Sequence, residues 1–220
     1  MTAAARAPKT YQAFLFDMDG TLITSTAAAE RVWTRWAQRH GLDVAALLAV
    51  MHGVRAIDTI RNQNLADIDL DAEVAWVERG EIEDVAGVAP IPGAVDFVGR
   101  LPPDRWAVVT SASIPLARAR LAAAGVTPPA VLITAEDVEH GKPDPAGYLK
   151  AAARLGFDIA DCLVFEDAEA GVRAAETAGA DVVVIAAAHA RPLETPHPTL
   201  ADYGEARLEV AADGGLAFSV

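Results

Sequence analysis

The chain has 220 residues, is 52% apolar and carries a net charge of −13 at pH 7. That length and apolar content suit one large domain or two small ones around a packed core. The charge argues against nucleic acid and anionic membrane surfaces as partners, both being polyanions, and leaves small anionic substrates open; no run of about 18 apolar residues is present, so no membrane span is expected.

The stretch from Met1 to Thr10 is Ala-rich, carries Arg6 and Lys9, and lacks the apolar block of a signal peptide. It reads as a frayed tail. The apolar run Ala13 to Phe16 then reads as a short buried strand, which ends in Asp17 and Asp19, followed by Gly20 and Thr21. Residues i and i+2 of a strand share a face, and past a strand end the backbone can bend, so the two carboxylates can converge on one point. Two like charges there resist ionisation, and a hard divalent cation with a preference for oxygen removes the conflict. A solvated acidic turn is the bland alternative. The C-terminal end of a continuous apolar strand, where open α/β sheets place their ligands, favours the functional one.

From Thr24 to Ala89 the pattern is helical throughout. Thr26 can cap a helix running to about His40, with Gly41 ending it. Further helices are predicted over Val44–Met51, from near Arg55, and from Leu70 to about Val85. Pro90, Pro92 and Gly93 then break the chain. The segment 23–89 is therefore predicted to be a helical cap inserted into a catalytic core of residues 1–22 and 90–220. Hinges would lie near Leu22–Thr24 and Val88–Pro92; extra helices packed on one side of the sheet are the alternative. His52 and Gly53 fall between two cap helices, where glycine permits close approach to a ligand. Arg55 could meet hydroxyls or a second anionic group, and Asp58, at i+3, could aim it. A plain helix connection with a surface ion pair fits those residues equally well. Trp33 and Trp36 read as packing residues.

Past the proline-rich break, the runs Trp106–Val109, Val131–Ile133, Leu163–Phe165 and Val182–Ile185 are apolar without alternation, as in strands covered on both faces. Helical patterns separate them: Ile114–Ala124, Pro145–Leu155 and Ala168–Ala178 stop at Gly125, Gly156 and Gly179. The fold class is α/β, a doubly wound parallel sheet. The lone cysteine, Cys162, reads as a buried thiol of a reducing compartment, so a cytoplasmic location is expected. Residues Arg207 to Val220 suggest a hairpin around Asp213-Gly214-Gly215. His189 and His197 lie in a Pro-rich stretch and read as solvated.

Polar clusters follow these strands. Thr110-Ser111-Ala112-Ser113 offers hydroxyls and backbone N–H groups to an anion, although such residues are also ordinary helix caps. Gly141-Lys142-Pro143-Asp144-Pro145 places a lysine on a stiff turn, where it could neutralise a phosphoryl oxygen or shield an aspartate. Glu166-Asp167 could complete a metal site with Asp17, or Asp167 could simply cap a helix. A nucleophile, a second acid, an anion cradle, a cation and a metal pair on one rim make up the equipment for phosphoryl transfer through a carboxylate.

This order of motifs, Asp17-Met18-Asp19-Gly20-Thr21, then Thr110-Ser111, Lys142 and Glu166-Asp167, resembles the haloacid dehalogenase-like hydrolase superfamily. The position and length of the insertion resemble its small-helical-cap subfamily. Together with His52-Gly53-Val54-Arg55 and Asp58, the motifs look like those of glycerol-phosphate and 2-deoxyglucose-6-phosphate phosphatases. The resemblance implies that Asp17 attacks phosphorus to form an aspartyl-phosphate and that Asp19 acts as general acid, then base, and so starts protonated. It implies Mg²⁺ on Asp17, Asp167, the Asp19 backbone carbonyl and, directly or through water, Glu166. Lys142, the Ser111 or Thr110 hydroxyl and the N–H groups of Met18, Asp19 and Ala112 would hold the phosphoryl group. His52, Gly53, Arg55 and Asp58 would face the leaving group. The expected partner is a small phosphorylated metabolite, and the expected state is a monomer or weak homo-oligomer. A β-phosphoglucomutase-like transferase, with Arg55 serving a second phosphate, and a non-catalytic metal-binding regulatory protein are the competing readings.

Overall fold

A computed structural model describes residues 9–188 and 193–219. Residues 1–8 of the predicted frayed tail, His189 and Val220 lie outside them; the end of that tail is not frayed, since Lys9 pairs with Asp181 and Thr10 is held in a strand opposite Ala217. In chain order the elements are β1 (Thr10–Tyr11), β2 (Ala13–Phe16), β3 (Ile23–Thr24), α1 (Thr26–Arg39), α2 (Val44–Met51), α3 (Ala56–Asn62) and α4 (Leu70–Glu83). There follow β4 (Ala89–Pro90), α5 (Ala94–Gly99), β5 (Trp106–Val109), α6 (Ile114–Ala123), β6 (Val131–Ile133), α7 (Ala146–Leu155), β7 (Cys162–Glu166), α8 (Glu169–Ala178), β8 (Asp181–Ile185), β9 (Thr199–Leu200), β10 (Arg207–Val210) and β11 (Leu216–Ser219).

The main sheet has six parallel strands in the order β6-β5-β2-β7-β8-β9. β2 sits near its centre, with Leu15 opposite Ala107 on one side and Val164 on the other. Its continuous apolar run follows from burial on both faces. Phe14 and Phe16 join an aromatic layer with Phe97, Trp106, Phe165 and Tyr203, whereas Ala13 and Leu15 join a layer of small residues with Ala151, Ala152, Ala174 and Ala175 from α7 and α8. Phe16 stacks on Phe165 with ring centroids 4.6 Å apart, directly behind the strand ends that carry Asp17 and Glu166. Small residues on α7 and α8 let those helices lie close to the sheet.

Helices α1 to α4 build a separate apolar cluster around Trp33, Trp36, Leu47, Ile60 and Val77. Both chain crossings into this block, β3 and β4, pair antiparallel, Ile23 with Pro90 and Thr24 with Ala89. Two-residue strands are too short to register as apolar runs, and α5, tucked behind Pro92 and Gly93, also escapes the sequence reading. Thr26 does not cap α1: it is the first helical residue, and Ser25 holds the cap position without capping, because its hydroxyl is engaged by Asp19.

The C-terminal hairpin forms as β10 and β11, and β11 also pairs with β1. His197 is not solvated as expected: its Nε2 lies 2.7 Å from Glu176 Oε1, and the chain beyond it adds β9 to the sheet edge. Among the described residues, no helix is long and apolar enough to cross a membrane.

Candidate active site

Asp17 stands one residue beyond β2, and its backbone N–H still donates to the Phe165 carbonyl, so the β2–β7 ladder runs up to the site itself. Its side chain is buried, and Lys142 Nζ donates to its Oδ1 at 2.5 Å. The same ammonium donates to Glu166 Oε1 at 2.6 Å and to the Val109 carbonyl at 3.1 Å, which ties the ends of β2, β5 and β7 together. Burial alone would lower the pKa of Lys142. The Asp17 and Glu166 carboxylates more than offset that and hold it above its ordinary range, so it is an ammonium.

Glu166 is 1% exposed and fully engaged. Oε1 accepts from Lys142 and from Tyr148 Oη at 2.7 Å, and Oε2 accepts from the backbone N–H groups of Asp167 and Ala168. Burial and the neighbouring carboxylate push the Tyr148 phenol well above its usual range, which keeps it a donor. A Cβ at Gly171 would meet Glu166 Oε1 at 1.7 Å, so the carboxylate fills the space that this glycine leaves open.

Asp17, Glu166 and Asp167 each offer an oxygen within 4.8 Å of the others. All three are buried. Three carboxylates face a single ammonium, and burial together with Glu166 and Asp167 pushes the Asp17 pKa well above its usual value despite Lys142. A carboxylate must be ionised to act as a nucleophile, so this cluster is short of positive charge. An oxygen-rich donor set with that deficit fits a hard divalent cation. Gly20, at φ +91°, supports the same cluster: a Cβ there would lie 1.9 Å from Asp167 Oδ2. Thr21 has no comparable role, since its hydroxyl is buried without a hydrogen-bond partner.

Asp19 is turned differently. Its Oδ1 accepts from Ser25 Oγ at 2.5 Å and from Arg120 at 3.0 Å. The sequence places Arg120 on an ordinary Ala/Leu/Arg helix, and no spacing signal marks it. The structure buries it between Asp19 and Glu81 of α4, the latter 2.9 Å away. Arg120, Glu81, Ser25 and Tyr148 are the site residues that sequence reasoning missed.

The anion-cradle residues divide their tasks. Thr110 Oγ1 accepts from the Ala112 N–H, which was expected to face phosphate, whereas Ser111 Oγ donates to the Gly53 carbonyl at 2.9 Å. Ser111 thereby joins the β5 end to the loop between α2 and α3. Gly53 comes near the end of β7 as well, because a Cβ on it would lie 3.1 Å from Ala168 Cβ. Arg55 is also engaged: it donates to Asp58 at 2.7 Å and to the Val138 and Glu139 carbonyls. The pairing expected between Arg55 and Asp58 is present, and the guanidinium spans from α3 to the loop before Lys142.

A cavity of about 560 Å³ lies between the sheet end and the helical block. Its wall includes Asp17, Asp19, Asp167, Thr110, Ser111 and Ala112 on one side and Glu30, Trp33, His52, Gly53, Arg55 and Glu78 on the other. His52 Nε2 lies 3.6 Å from Glu30 Oε1. Trp33, read as a packing residue, both packs and faces this cavity.

The haloacid dehalogenase-like hydrolase family matches the chain over residues 11–179. Hexitol phosphatase A of Escherichia coli (strain K12) is 42% identical over 187 residues, covering 83% of this chain and 85% of its own length. Glycerol-1-phosphate phosphohydrolase 1 of Saccharomyces cerevisiae is 36% identical, with 79% of this chain and 74% of its own length covered. 2-Deoxyglucose-6-phosphate phosphatase 1 of the same yeast is 34% identical, with 80% of each covered. Among solved structures, CbbY from Rhodobacter sphaeroides in complex with phosphate superposes with a TM-score of 0.74 at 22% identity, covering 89% of this chain and 96% of its own, which shows a shared fold. The matched span runs from β1 to Gly179 and includes all four motifs, and the chain belongs to the haloacid dehalogenase-like hydrolase family.

Proposed function

We propose that the chain is a Mg²⁺-dependent phosphatase for monophosphate esters of small neutral polyols or sugars, working through an aspartyl-phosphate on Asp17. The observation that carries this reading is the buried cluster of Asp17, Lys142, Glu166 and Asp167 at the floor of the cavity. Residues 1–22 and 90–220 form the catalytic core in this reading, and residues 23–89 the cap that selects the leaving group. A cytoplasmic enzyme, as a monomer or a weak homo-oligomer, completes this reading.

Asp17, Asp167 and the Asp19 backbone carbonyl would hold the Mg²⁺, which supplies the positive charge that lets an anionic nucleophile approach an anionic phosphate. Glu166, with both oxygens already accepting bonds, would contribute through water and mainly orients Lys142. A carboxylate oxygen of Asp17 attacks phosphorus in line while the ester oxygen leaves. Lys142 and the N–H groups of Met18 and Asp19 stabilise the phosphoryl oxygens, and the Ser111 hydroxyl would join them by turning away from the Gly53 carbonyl. Both bonds to Asp19 fall on Oδ1, which leaves Oδ2 as the oxygen placed to pass a proton to the departing ester oxygen. Water then attacks the aspartyl-phosphate, returns a proton to Asp19 Oδ2, and leaves as part of inorganic phosphate.

The cap wall favours a neutral leaving group. Glu30 and Glu78 line it as acceptors for hydroxyls and repel a second phosphate. Arg55, the cation that a bisphosphate would need, is committed to Asp58 and two carbonyls, which weighs against the mutase reading. The test is phosphate release over a panel of hexitol, glycerol, 2-deoxyhexose and hexose monophosphates with Mg²⁺. Turnover of several of these without a bisphosphate activator is the expected result. No release from any member, or dependence on a sugar bisphosphate, would overturn the reading.

A further inference from the structure

Arg120 and Glu81 make a buried connection between the core and the helical block that none of the phosphoryl chemistry requires. Arg120 leaves α6 and forks. One nitrogen donates to Asp19 Oδ1 at 3.0 Å and another to Glu81 Oε1, on α4, at 2.9 Å. The Arg120 and Glu81 side chains are each only 7% exposed. Removing a buried guanidinium and a carboxylate from water is costly unless every polar atom is satisfied, and Arg120 Nε has no hydrogen-bond partner. Ser25, at the start of α1 and next to hinge strand β3, donates to the same Asp19 oxygen. Asp19 therefore receives one bond from a residue that α4 anchors and one from the hinge. Its orientation depends on where the helical block sits.

We propose that Arg120 is a positioning residue whose fork to Glu81 and Asp19 aims the Asp19 carboxyl into the cavity only when the helical block is seated on the core. A displacement of α4 removes the Glu81 arm, frees the guanidinium to swing, and leaves Asp19 on the Ser25 bond alone. Proton delivery and cap position are thereby joined through one side chain. Lysine does not reproduce this, since Asp19 and Glu81 are held by two different nitrogens of one planar fork and a lysine side chain offers a single, shorter-reaching nitrogen in their place.

This inference rests on the phosphatase reading for its kinetic arm, and a second arm is independent of it. Arg120→Lys and Glu81→Gln are compared with the unaltered chain on an alkyl phosphate, whose leaving group needs a proton, and an aryl phosphate, whose leaving group departs readily without one. The expected result is a fall of about 10²-fold in kcat on the alkyl ester for Arg120→Lys and a smaller fall for Glu81→Gln, with KM unchanged and a much weaker effect on the aryl ester. Glu81→Gln keeps one carboxylate for Arg120 and guards against a variant that fails to fold. Hydrogen exchange, which needs no substrate, is expected to rise in residues 70–83 and in the hinge pairs 23–24 and 89–90 in both variants. If Arg120→Lys keeps the alkyl-to-aryl ratio of the unaltered chain, the side chain only packs and the proposal fails. Unchanged exchange in both variants also overturns it. Absence of phosphatase activity in the unaltered chain would strike the functional reading, while the exchange result still decides the coupling.

Discussion

Lys142 Nζ stands 2.5 Å from Asp17 Oδ1, with the two side chains 7% and 8% exposed. A lysine supplied by the loop before α7 thus meets an aspartate supplied by the end of β2, 125 positions away in the sequence. The contact shields the nucleophile's charge and holds a cation where phosphoryl oxygens must pass. Glu166, fixed by Tyr148 and two backbone N–H groups, keeps that cation from rotating away.

Lys142→Met should lower kcat by about 10²–10³-fold, the cost of losing a fixed charge at a developing anion. It should also destabilise the fold by about 3–5 kcal/mol, because Asp17 and Glu166 are left buried without their counter-charge. Steady-state kinetics and thermal unfolding read the two effects separately. Activity within a few-fold of the unaltered chain would show that Lys142 does not touch the reacting group.

Gly20→Ala should weaken Mg²⁺ binding by about 10–100-fold, because the new methyl group occupies the space of the Asp167 carboxylate and that residue must move. The left-handed backbone at this position adds strain for any side chain. Titration calorimetry of Mg²⁺ without substrate checks it. An unchanged Kd would place the ion away from Asp167.

The legible parts of the molecule are those whose chemistry is local. The runs 13–16, 106–109 and 182–185 announce strands because both of their faces are buried, and the acids, hydroxyls and lysine that follow such runs announce a ligand rim. The meeting of Asp17, Lys142 and Asp167 follows from parallel topology alone. Arg120 was not legible, since its partners lie 101 and 39 residues away and its own helix carries a second arginine, Arg118. Ser25 was missed for a related reason: a residue with ordinary cap character gives its hydroxyl to Asp19 rather than to its own helix. Arg55 and Asp58 were read as a pair correctly, but the carbonyls of Val138 and Glu139 that Arg55 also reaches, in the loop before Lys142, have no signature in sequence.

The helical block should loosen in acid through Glu73. This buried residue accepts from Trp36 Nε1 at 2.8 Å and Arg39 at 2.7 Å, and pairs with His40 at 3.0 Å. Burial works to raise its pKa, but these three partners outweigh it and hold Glu73 below the ordinary value of 4.5. A depressed folded pKa contributes stability that is present above about 4.5 and is lost as pH falls through the lower folded value. Trp36 fluorescence followed downward from pH 5 should report that loss, and Glu73→Gln should remove that part of the pH dependence while costing about 1–3 kcal/mol at neutral pH. A pH profile identical in the two proteins would assign the acid response to another group.

The central claim is that phosphate passes through Asp17. An Asp19→Asn variant, slowed in discharging the intermediate, is mixed with Mg²⁺ and an aryl phosphate, whose leaving group needs no proton, then quenched in acid and digested, and the phosphorylated peptide is located by mass spectrometry. The expected result is a hydroxylamine-sensitive phosphoryl group on the Asp17 carboxylate, absent when Asp17→Asn is added. Steady phosphate release with no labelled protein, or a label on any other residue, would contradict the account.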